Sequence, residues 1–518
     1  MEGNTPADRD CLSHPSGTPA NDQGGFSRDM ATEAADLFRV LSDPTRVLIV
    51  LALAAAGELC VTDLAGAVGM TAPAVCHHLQ ILRHLGLVRS SRKGRNVYYR
   101  VDQSRFQQRL YGSLGRMRIA GGADSSQRDR PIRIGSTFPL TGFAAPDGLE
   151  QKRAMTVAIE QWNSRGGVQG RLIEHVYLDV GDMSPKRMVS TFQSLIQDHH
   201  VDAIVNGYLL YTGKEYELVA NSGIPYVHSN TSSISQKLYS TDPERFWMCF
   251  QVDPSERLYA LGFIRFIQFL ERSGAFRARK KEIAIIAGSD PYSETIAITL
   301  RQTIKRIGWG ISIFEKVKSP CDRWARILRR ISVEQPDVVF LSDIVLEDNV
   351  TFVSDFLENP IPALLYGQYS PTLREYVDSL GPSAEGTITS TVNGVLPGEL
   401  GDQYRTTYEQ RWGVAPGASI GGIVFDTTNL YLTAVALAGG SEDRRRVCDL
   451  LQGLWVRGTT GVCHFTRERV APSFPTETLD PSAGVPHLFF QVQEGRQRIL
   501  YPPPYVETQF VLPPWFQA

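Results

Sequence analysis

The sequence of 518 residues lacks the features that mark secreted, disulfide-bonded and membrane-spanning proteins. Its seven cysteines are odd in number and stand singly, which argues against a disulfide framework and for a reducing compartment. The N-terminal residues contain no apolar segment of the kind found in signal peptides. No stretch approaches the roughly 18 apolar residues of a membrane span. From these absences we expect a cytoplasmic protein without a membrane partner.

An excess of either charge is also missing, with 53 Lys and Arg against 55 Asp and Glu and a net charge of -2. The chain as a whole is therefore not a polyanion-binding protein. One short segment differs, because five basic residues and no acidic residue lie between Arg89 and Arg100. That segment could contact the phosphates of a nucleic acid.

Motifs for common catalytic chemistry are absent as well. We find no G-x-S-x-G nucleophile turn, no H-E-x-x-H zinc motif and no phosphate-binding loop. Cys463 and His464 are adjacent, but they lie on a predicted strand, which directs neighbouring side chains to opposite faces. We therefore expect that the protein is not an enzyme and needs no cofactor.

Composition and periodicity divide the chain into five parts. Residues 1–29 are polar and rich in Gly and Pro, which predicts disorder, and residues 119–130 have the composition of a flexible linker. Between them lies a helical domain with a basic hairpin, residues 30–118, here called the head. Residues 131–500, the body, alternate strands with amphipathic helices. The proline-rich residues 501–518, the strap, are expected to wrap the surface in extended form.

The alternation in the body predicts parallel sheets with helices on both faces, arranged as two doubly wound lobes. The segments 131–250 and 255–385 each supply four or five strands. The predicted strands are Ile132–Ser136, Ile173–Val180, Asp202–Asn206, Pro225–His228, Ile283–Ala287, Ile311–Val317, Asp337–Leu341, Ala363–Tyr366 and Thr387–Thr391. The fold class is therefore an α+β winged helix-turn-helix followed by an α/β two-lobed body.

Two short helices in the head have the spacing of a helix-turn-helix. Val61–Val68 has one apolar face and is followed by a Gly-Met turn. Thr71 is suited to cap a second helix, whose first turn contains Pro73 and whose apolar residues recur at helical spacing. The solvent face of this second helix is then expected to be available for contacts with DNA.

An alternating pair of segments, Val88–Ser91 and Asn96–Val101, follows the second helix and predicts a hairpin wing with a basic turn. Its cations could reach phosphates or the minor groove. The residues that we expect to contact DNA are Thr71, Ala72, Ala74, Cys76, His77 and Gln80 on the helix, and Arg92, Lys93, Arg95 and Tyr98 on the wing.

The runs FRVLSDPTRVLIVLAL, ELCVTDLA, TAPAVCHHLQILRHLGLV and RKGRNVYYRV cover most of the head. They resemble the arsenic-repressor family of winged-helix regulators. The resemblance implies a homodimer that reads a two-fold symmetric operator in double-stranded DNA.

Many members of that family sense metals through a Cys-x-Cys pair, at the position where this chain reads ELCVT. Here Thr62 replaces the second cysteine and leaves Cys60 alone. One thiolate is not a metal site, since zinc takes about four ligands. We therefore expect no metal site and interpret Cys60 as a small buried residue. Of His77 and His78, we expect one to face DNA and the other to pack.

The body carries the runs IRIGSTFPLTGFAAPDG, AIEQWNSRGGVQGR, AIVNG, GIPYVHSNTS, EIAIIAGSDPYSE, PDVVFLSD and SAEGTI. They resemble the type I periplasmic binding proteins, in particular the receptors of branched-chain amino acid, amide and urea ABC importers. The resemblance implies a two-lobed fold of that type, which closes on a small polar ligand.

A zwitterionic or amide ligand in such a cleft needs hydroxyl and N–H donors for its carboxylate or carbonyl. It also needs a buried carboxylate for its ammonium or amide N–H groups. On the resemblance, the expected ligand-binding residues are Tyr211, Thr212, Ser229, Asn230, Ser232, Tyr292, Glu347, Phe425 and Asp426. Among them, Ser232 takes the place of a carboxylate-binding threonine and Glu347 that of the ammonium-binding acid, while Phe425 and Asp426 are expected to open a helix near the cleft.

Together the two parts predict a one-component transcription regulator. A small polar ligand of the amino acid, amide or urea class would bind the body and change the occupancy of operator DNA by the head. Two alternative functions remain. The first is a substrate-binding receptor of an ABC transporter. The second is a metal-responsive repressor, which the replacement of the second cysteine by Thr62 disfavours.

Overall fold

A computed structural model describes residues 44–84, 86–93, 96–102, 130–210 and 212–516. The chain forms two compact units, Met1–Ala123 and Asp124–Ala518, which contain the head and the body respectively. The segment predicted to be disordered, residues 1–29, lies outside the described residues.

The described part of the head is a helix-turn-helix followed by a hairpin. Its elements are α1 (Pro44–Ala56), β1 (Leu59–Cys60), α2 (Val61–Val68), α3 (Ala72–His84), β2 (Val88–Lys93) and β3 (Asn96–Val101). Gly69 ends α2 with a φ of 66°, a left-handed conformation that glycine adopts without a Cβ clash, and so turns the chain into α3. Val75, Leu79 and Leu82 of α3 are fully buried in the core of the head. The opposite face of α3 is therefore left to solvent.

Lobe one of the body is built on a five-stranded parallel sheet in the order β5-β4-β6-β7-β8. Its elements are β4 (Ile132–Phe138), α4 (Ala145–Ser164), β5 (Ile173–Asp179), α5 (Pro185–Gln197), β6 (Ala203–Asn206), α6 (Lys214–Ser222), β7 (Tyr226–His228), α7 (Ser233–Thr241) and β8 (Cys249–Gln251). All side chains of β6 and β7 are buried, as in parallel sheets that carry helices on both faces. The strand order changes direction beside β4, which opens a crevice at the carboxyl ends of the strands.

Lobe two is built on a seven-stranded sheet in the order β10-β9-β11-β12-β13-β18-β19. Its first elements are α8 (Arg257–Arg272), β9 (Glu282–Gly288), α9 (Pro291–Thr303), β10 (Gly310–Val317), α10 (Trp324–Glu334), β11 (Val338–Asp343), α11 (Leu346–Glu358), β12 (Leu364–Tyr369), α12 (Arg374–Leu380) and β13 (Ile388–Thr391). The strands from β10 to β13 are parallel, and β18 and β19 join antiparallel. The predicted strands correspond to β4–β7 and β9–β13, and the two-lobed α/β fold class is confirmed.

The remaining elements return to lobe one before the chain ends in lobe two. They are α13 (Glu399–Trp412), α14 (Ile420–Ala438), α15 (Arg444–Gly453), β14 (Val456–Arg457), β15 (Val462–Cys463), β16 (Ser473–Phe474), β17 (Val485–Pro486), β18 (Leu488–Gln493) and β19 (Arg496–Tyr501). Val424 and Val447 pack in the core of lobe one, whereas Phe489 and Leu500 pack in that of lobe two. The chain therefore crosses between the lobes after β8, after β13 and before β18, and these crossings form the hinge.

The helix α14 corrects one expectation from the sequence. It has 19 residues with a mean hydropathy of 1.3, which is long and apolar enough to span a membrane, although no such stretch was expected. In the structure 72% of this apolar stretch is buried inside the body, where the helix packs along α4. The burial of a central core helix accounts for its composition.

The described part of the strap lies against lobe two. The indole Nε1 of Trp515 donates a hydrogen bond to the carbonyl of Ala363 at 2.9 Å, and Nε2 of Gln491 donates to the carbonyl of Val511 at 2.7 Å. Trp515 itself is buried. These contacts extend the core of lobe two to the last described residues.

Candidate functional sites

The exposed face of α3 carries part of the residue set expected to read DNA. Of the six predicted residues, the exposed ones are Thr71, His77 and Gln80, and the half-buried ones are Ala72, Ala74 and Cys76. His78 is half-buried next to the exposed His77. Of the two histidines, His77 is therefore the more exposed.

The wing is an antiparallel hairpin of β2 and β3. Arg92 is exposed and Tyr98 is half-buried. The side chain of Lys93 and the whole of Arg95 lie outside the described part of the head. The exposed Arg92 has the placement that a phosphate contact needs.

Not all of the basic charge in this segment is available to a nucleic acid. Arg89 forms an ion pair with Asp102, just after β3, and the carboxylate of Asp102 is 4% exposed. The basic segment identified from the sequence ends at Arg100, two residues before Asp102, and so did not include this acid. The pair neutralises one of the five cations within the head.

Cys60 lies at the buried junction of β1 and α2. It is 9% exposed, and its Sγ donates a hydrogen bond to Oδ2 of Asp63 at 3.0 Å. Among the described residues of the whole chain, no group of three or more His, Cys, Asp or Glu side chains is placed to hold a metal ion. Cys60 thus has the surroundings of a small buried residue.

The neighbours Cys463 and His464 face different surroundings. Cys463 is buried, and burial raises the pKa of its thiol, which disfavours the thiolate that a nucleophile needs. The imidazole of His464 stacks on the indole of Trp455 with 3.8 Å between ring centroids. The two side chains do not form a dyad.

A cavity lies in the body at the carboxyl ends of the parallel strands. Its lining residues are Tyr208, Leu209, Leu210, Ser229, Asn230, Thr231, Tyr259, Tyr292, Ile344, Tyr369, Asn393, Ser419 and Ile420. Lobe one contributes the loops after β6 and β7, and lobe two contributes the segments after β9 and β11 and the end of β12. This is the crevice in which doubly wound folds bind their ligands.

Three of the predicted ligand residues line this cavity. Ser229 is 1% exposed, and its Oγ has no hydrogen-bond partner among the described residues. Oδ1 of Asn230 accepts a hydrogen bond from the backbone N–H of Leu209 at 2.6 Å, which ties together the loops after β6 and β7. The phenol oxygen of Tyr292 accepts from Nε2 of Gln368 at 3.0 Å. A buried hydroxyl without a partner costs about 1–3 kcal/mol, so Ser229 is the best-placed ligand donor of the three.

Two other predicted ligand residues of lobe one form hydrogen bonds within the protein instead. Oγ1 of Thr212 donates to Oε2 of Glu215 at 2.6 Å, and Oγ of Ser232 caps α7 by accepting from the N–H of Ser235 at 3.1 Å. Neither residue lines the cavity. Tyr211 lies outside the described residues.

Glu347 does not line the cavity either, and its side chain is exposed. The sequence-based prediction placed it on a cleft loop. In the structure β11 continues to Asp343 and α11 begins at Leu346, so Glu347 falls in the first turn of that helix. The expected pairing of this acid with a ligand ammonium has no geometric support.

Phe425 and Asp426 lie in the second turn of α14, which begins at Ile420 rather than at Phe425. They border a separate pocket rather than the cavity. The buried carboxylate of Asp426 accepts four hydrogen bonds of 2.7–3.2 Å, from the N–H and Oγ1 groups of Thr459 and Thr460. Asp426 therefore fastens the loop between β14 and β15 to α14.

The sequence analysis missed most of the aromatic lining. Tyr208 and Tyr369 lie at the carboxyl ends of β6 and β12, where a search for aromatic residues after predicted parallel strands could have found them. Tyr259 and Asn393 lie near the hinge crossings, and Ser419 precedes α14. Long-range topology brings these last three to the cavity, so no local pattern marks them.

Four tyrosines form a continuous wall of this cavity. Ring centroids are 5.4 Å apart for Tyr208 and Tyr369, 6.4 Å for Tyr292 and Tyr369, and 5.8 Å for Tyr259 and Tyr292, with edge-to-face geometry throughout. Tyr369 has a φ of 70°, a left-handed backbone conformation that costs a tyrosine about 1–3 kcal/mol. The packing around Tyr369 holds this strained conformation, and the conformation sets the position of the Tyr369 ring in the wall of the cavity.

Two buried acids lie behind the tyrosine wall on α4. The hydroxyl of Tyr208 donates to Oδ2 of Asp147 at 3.3 Å, and burial raises the pKa of Asp147 to about 7. The carboxylate of Glu150 accepts from the N–H groups of Gly417 and Gly421 at 3.0–3.1 Å, while burial raises its pKa to about 7. Glu150 therefore holds the start of α14 beside the cavity, whereas Asp147 bonds to Tyr208 and its Oδ1 has no partner among the described residues.

Comparison with known proteins relates the two parts of the chain to two families. The model of the Periplasmic binding protein family matches residues 131–474, and the model of the Bacterial regulatory protein, arsR family, matches residues 43–90. The head is similar to the Transcriptional repressor SmtB homolog of Synechocystis sp., with 49% identity over 74 residues, which are 14% of this chain and 55% of that protein.

The body is similar to the Leucine-, isoleucine-, valine-, threonine-, and alanine-binding protein of Pseudomonas aeruginosa, with 26% identity over 208 residues, or 40% of this chain and 52% of that protein. The chain thus spans little more than half the length of these two curated relatives. A crystal structure of a putative branched-chain amino acid ABC transporter from Silicibacter pomeroyi is 33% identical, with a TM-score of 0.70. That match covers 74% of this chain and 100% of the other.

Proposed function

Because the chain belongs to the periplasmic binding protein family and carries an arsR-family helix-turn-helix domain at its N-terminus, we propose that it is a cytoplasmic one-component transcription regulator. In this proposal the head binds operator DNA as a homodimer. The body is the sensor of a small polar ligand with a carboxylate or amide group, the chemistry shared by the amino acid, amide and urea class.

One observation carries this proposal. A cavity with the unpartnered hydroxyl of Ser229 and a helix-turn-helix with an exposed reading face occur in the same chain. Hinge closure on a ligand would change the relative placement of two heads in a dimer and so their fit to two half-sites. A coupling free energy of about 1–3 kcal/mol would change operator affinity roughly 5- to 150-fold.

The proposal is tested with the full-length chain in two steps. Selection from random duplex DNA supplies the operator, and thermal-shift screening of amino acids, amides, urea and carboxylic acids supplies the ligand. Operator affinity is then measured by fluorescence anisotropy with and without that ligand. We expect a change of at least fivefold, abolished in Ser229→Ala and retained in Ser240→Ala, an exposed serine of α7 outside the cavity.

Two outcomes would contradict the proposal in different ways. If no duplex is enriched, the head is not an operator-binding domain. If a ligand stabilises the chain but leaves operator affinity unchanged, the body is not the sensor of the head. Ligand binding without DNA enrichment would instead favour the second candidate, a substrate-binding receptor of an ABC transporter, which the match of the body to transporter receptors supports.

Metal ions are not expected to be the inducer, because Cys60 has no second thiolate at the Cys-x-Cys position and bonds to Asp63. Zinc, cadmium or arsenite titrated into the complex of chain and operator should leave the anisotropy unchanged at micromolar concentrations. The matched control is Thr62→Cys, which restores the pair of thiolates. Release of the unmodified chain that disappears in Cys60→Ser would instead establish a metal-responsive repressor.

A further inference from the structure

The ligand cavity has no carboxylate, ammonium, guanidinium or imidazole among its described lining residues. A ligand ammonium moved from water into such a cavity loses its hydration shell and gains no carboxylate in return. Two buried acids, Asp147 and Asp253, lie nearby but do not line the cavity, and Oδ1 of each has no hydrogen-bond partner among the described residues. Asp147 accepts from Tyr208, and Asp253 accepts from Nδ2 of Asn393 at 2.8 Å. The cavity therefore lacks the group that recognises the ammonium of an amino acid.

The helix dipoles around the cavity favour an anionic ligand group over a cationic one. Ser229–Thr231 lead into the N-terminus of α7, Tyr292 lies in the first turn of α9, and Ser419 and Ile420 begin α14. The N-terminus of a helix carries a partial positive charge and free N–H groups, which stabilise an anion and repel a cation. Three such termini surround one cavity, although one N–H group of each is already bonded to a carboxylate, that of Glu256 at α7, Asp290 at α9 and Glu150 at α14.

The hydroxyl of Ser229 is independent evidence that the ligand carries a hydrogen-bond acceptor. Its Oγ is fully buried, lines the cavity and has no partner among the described residues. It lies at the same side of the cavity as the start of α7, whose own cap, Ser232, is already bonded to Ser235. A ligand oxygen placed here would satisfy a donor that is otherwise buried without a bond.

Apart from the polar Ser229, Asn230, Thr231, Asn393 and Ser419, the lining is apolar or aromatic. The wall of four tyrosines shares this lining with the aliphatic side chains of Leu209, Leu210, Ile344 and Ile420. Such a lining favours a flat or branched hydrocarbon group, because rings stack or meet edge to face and aliphatic carbons lose contact with water.

We propose that the ligand is a hydrophobic carboxylic acid without an ammonium group, such as an aromatic or branched aliphatic acid. Its carboxylate binds at Ser229 and the start of α7, and its hydrocarbon part packs against the tyrosine wall. This inference rests on the proposed function only in taking the cavity as the ligand site of the sensor. The experiment therefore measures binding to the full chain without DNA.

Isothermal titration with matched pairs tests the ligand class. The pairs are 4-methylpentanoate with leucine and 3-phenylpropanoate with phenylalanine, and each pair differs only in the ammonium group. We expect the deaminated acid to bind at least tenfold more tightly in one or both pairs. Equal or tighter binding of the amino acids, no binding of any acid, or tighter binding of a tetraalkylammonium ion inside the aromatic wall would each overturn the proposal.

Two serine variants test the position of the carboxylate. Ser229→Ala should weaken binding of the preferred acid about 10- to 100-fold, while Ser240→Ala, on the exposed side of α7, should leave it unchanged. Circular dichroism and thermal unfolding of both variants verify that they fold. If Ser229→Ala folds and binds the acid like the wild type, the carboxylate does not lie at Ser229. An acid that binds as expected but leaves operator affinity unchanged would refute the sensor function and not the ligand class.

Discussion

Replacement of Asp426 by alanine is expected to destabilise the body by about 3–5 kcal/mol. Asp426 is 8% exposed, and its carboxylate accepts hydrogen bonds from two backbone N–H groups and two hydroxyls, those of Thr459 and Thr460. Its removal leaves these donors unsatisfied, at about 1–3 kcal/mol for each that stays buried. Urea unfolding followed by tryptophan fluorescence measures the loss in the body, because all seven tryptophans lie outside the head, between Trp162 and Trp515.

The matched control for this variant is Asp402→Ala. Asp402 is an exposed acid on α13 that pairs with Arg405 one turn away, and surface pairs of this kind contribute less than about 1 kcal/mol. The comparison also separates the two interpretations of Asp426. If Asp426→Ala keeps the stability of the wild type and loses ligand binding, the sequence-based assignment as a ligand residue is right and the loop-fastening role is wrong.

Local patterns predicted the helix-turn-helix and hairpin of the head and nine parallel strands of the body. The apolar spacing of Val75, Leu79 and Leu82 predicts α3, and the same residues form its buried side in the structure. The β-branched runs of the body predict the parallel strands because the central strands, such as β6 and β11, are buried on both faces. β18 and β19 were not predicted, since they follow a long irregular segment and join the sheet beside β13 only through tertiary pairing.

The candidate ligand site was predicted less well, and the reason is geometric. Ser229 and Asn230 follow a predicted parallel strand, so the carboxyl-end rule places them at the crevice. Glu347 and Asp426 were placed by position within a family pattern, and a few residues along a helix decide whether such a side chain faces the cavity, the solvent or a neighbouring loop. Tyr259 and Asn393 are 134 positions apart and meet at the hinge, which no local pattern encodes.

The combined variant Arg92→Ala, Lys93→Ala and Arg95→Ala is expected to weaken operator binding at 0.1 M salt by a factor of about 10² to 10³ for each head of the proposed homodimer. Each phosphate contact by a cation contributes about 0.9 to the slope of log affinity against log salt concentration. Three lost contacts therefore lower the slope by about 2.7 per head, and the affinities of variant and wild type converge near 1 M salt. The loss should be the same for operator and random duplex, because contacts to phosphates carry no base sequence information.

The control for the wing variant removes the same charge from the body, at the exposed Lys237, Lys305 and Arg306. It should leave both affinity and salt slope unchanged, which excludes a general effect of net charge. Gln80→Ala, on the exposed face of α3, should instead keep the slope and change the preferred sequence. A wing variant with the affinity and salt slope of the wild type would remove the hairpin from the DNA interface and leave α3 as the contact to be tested.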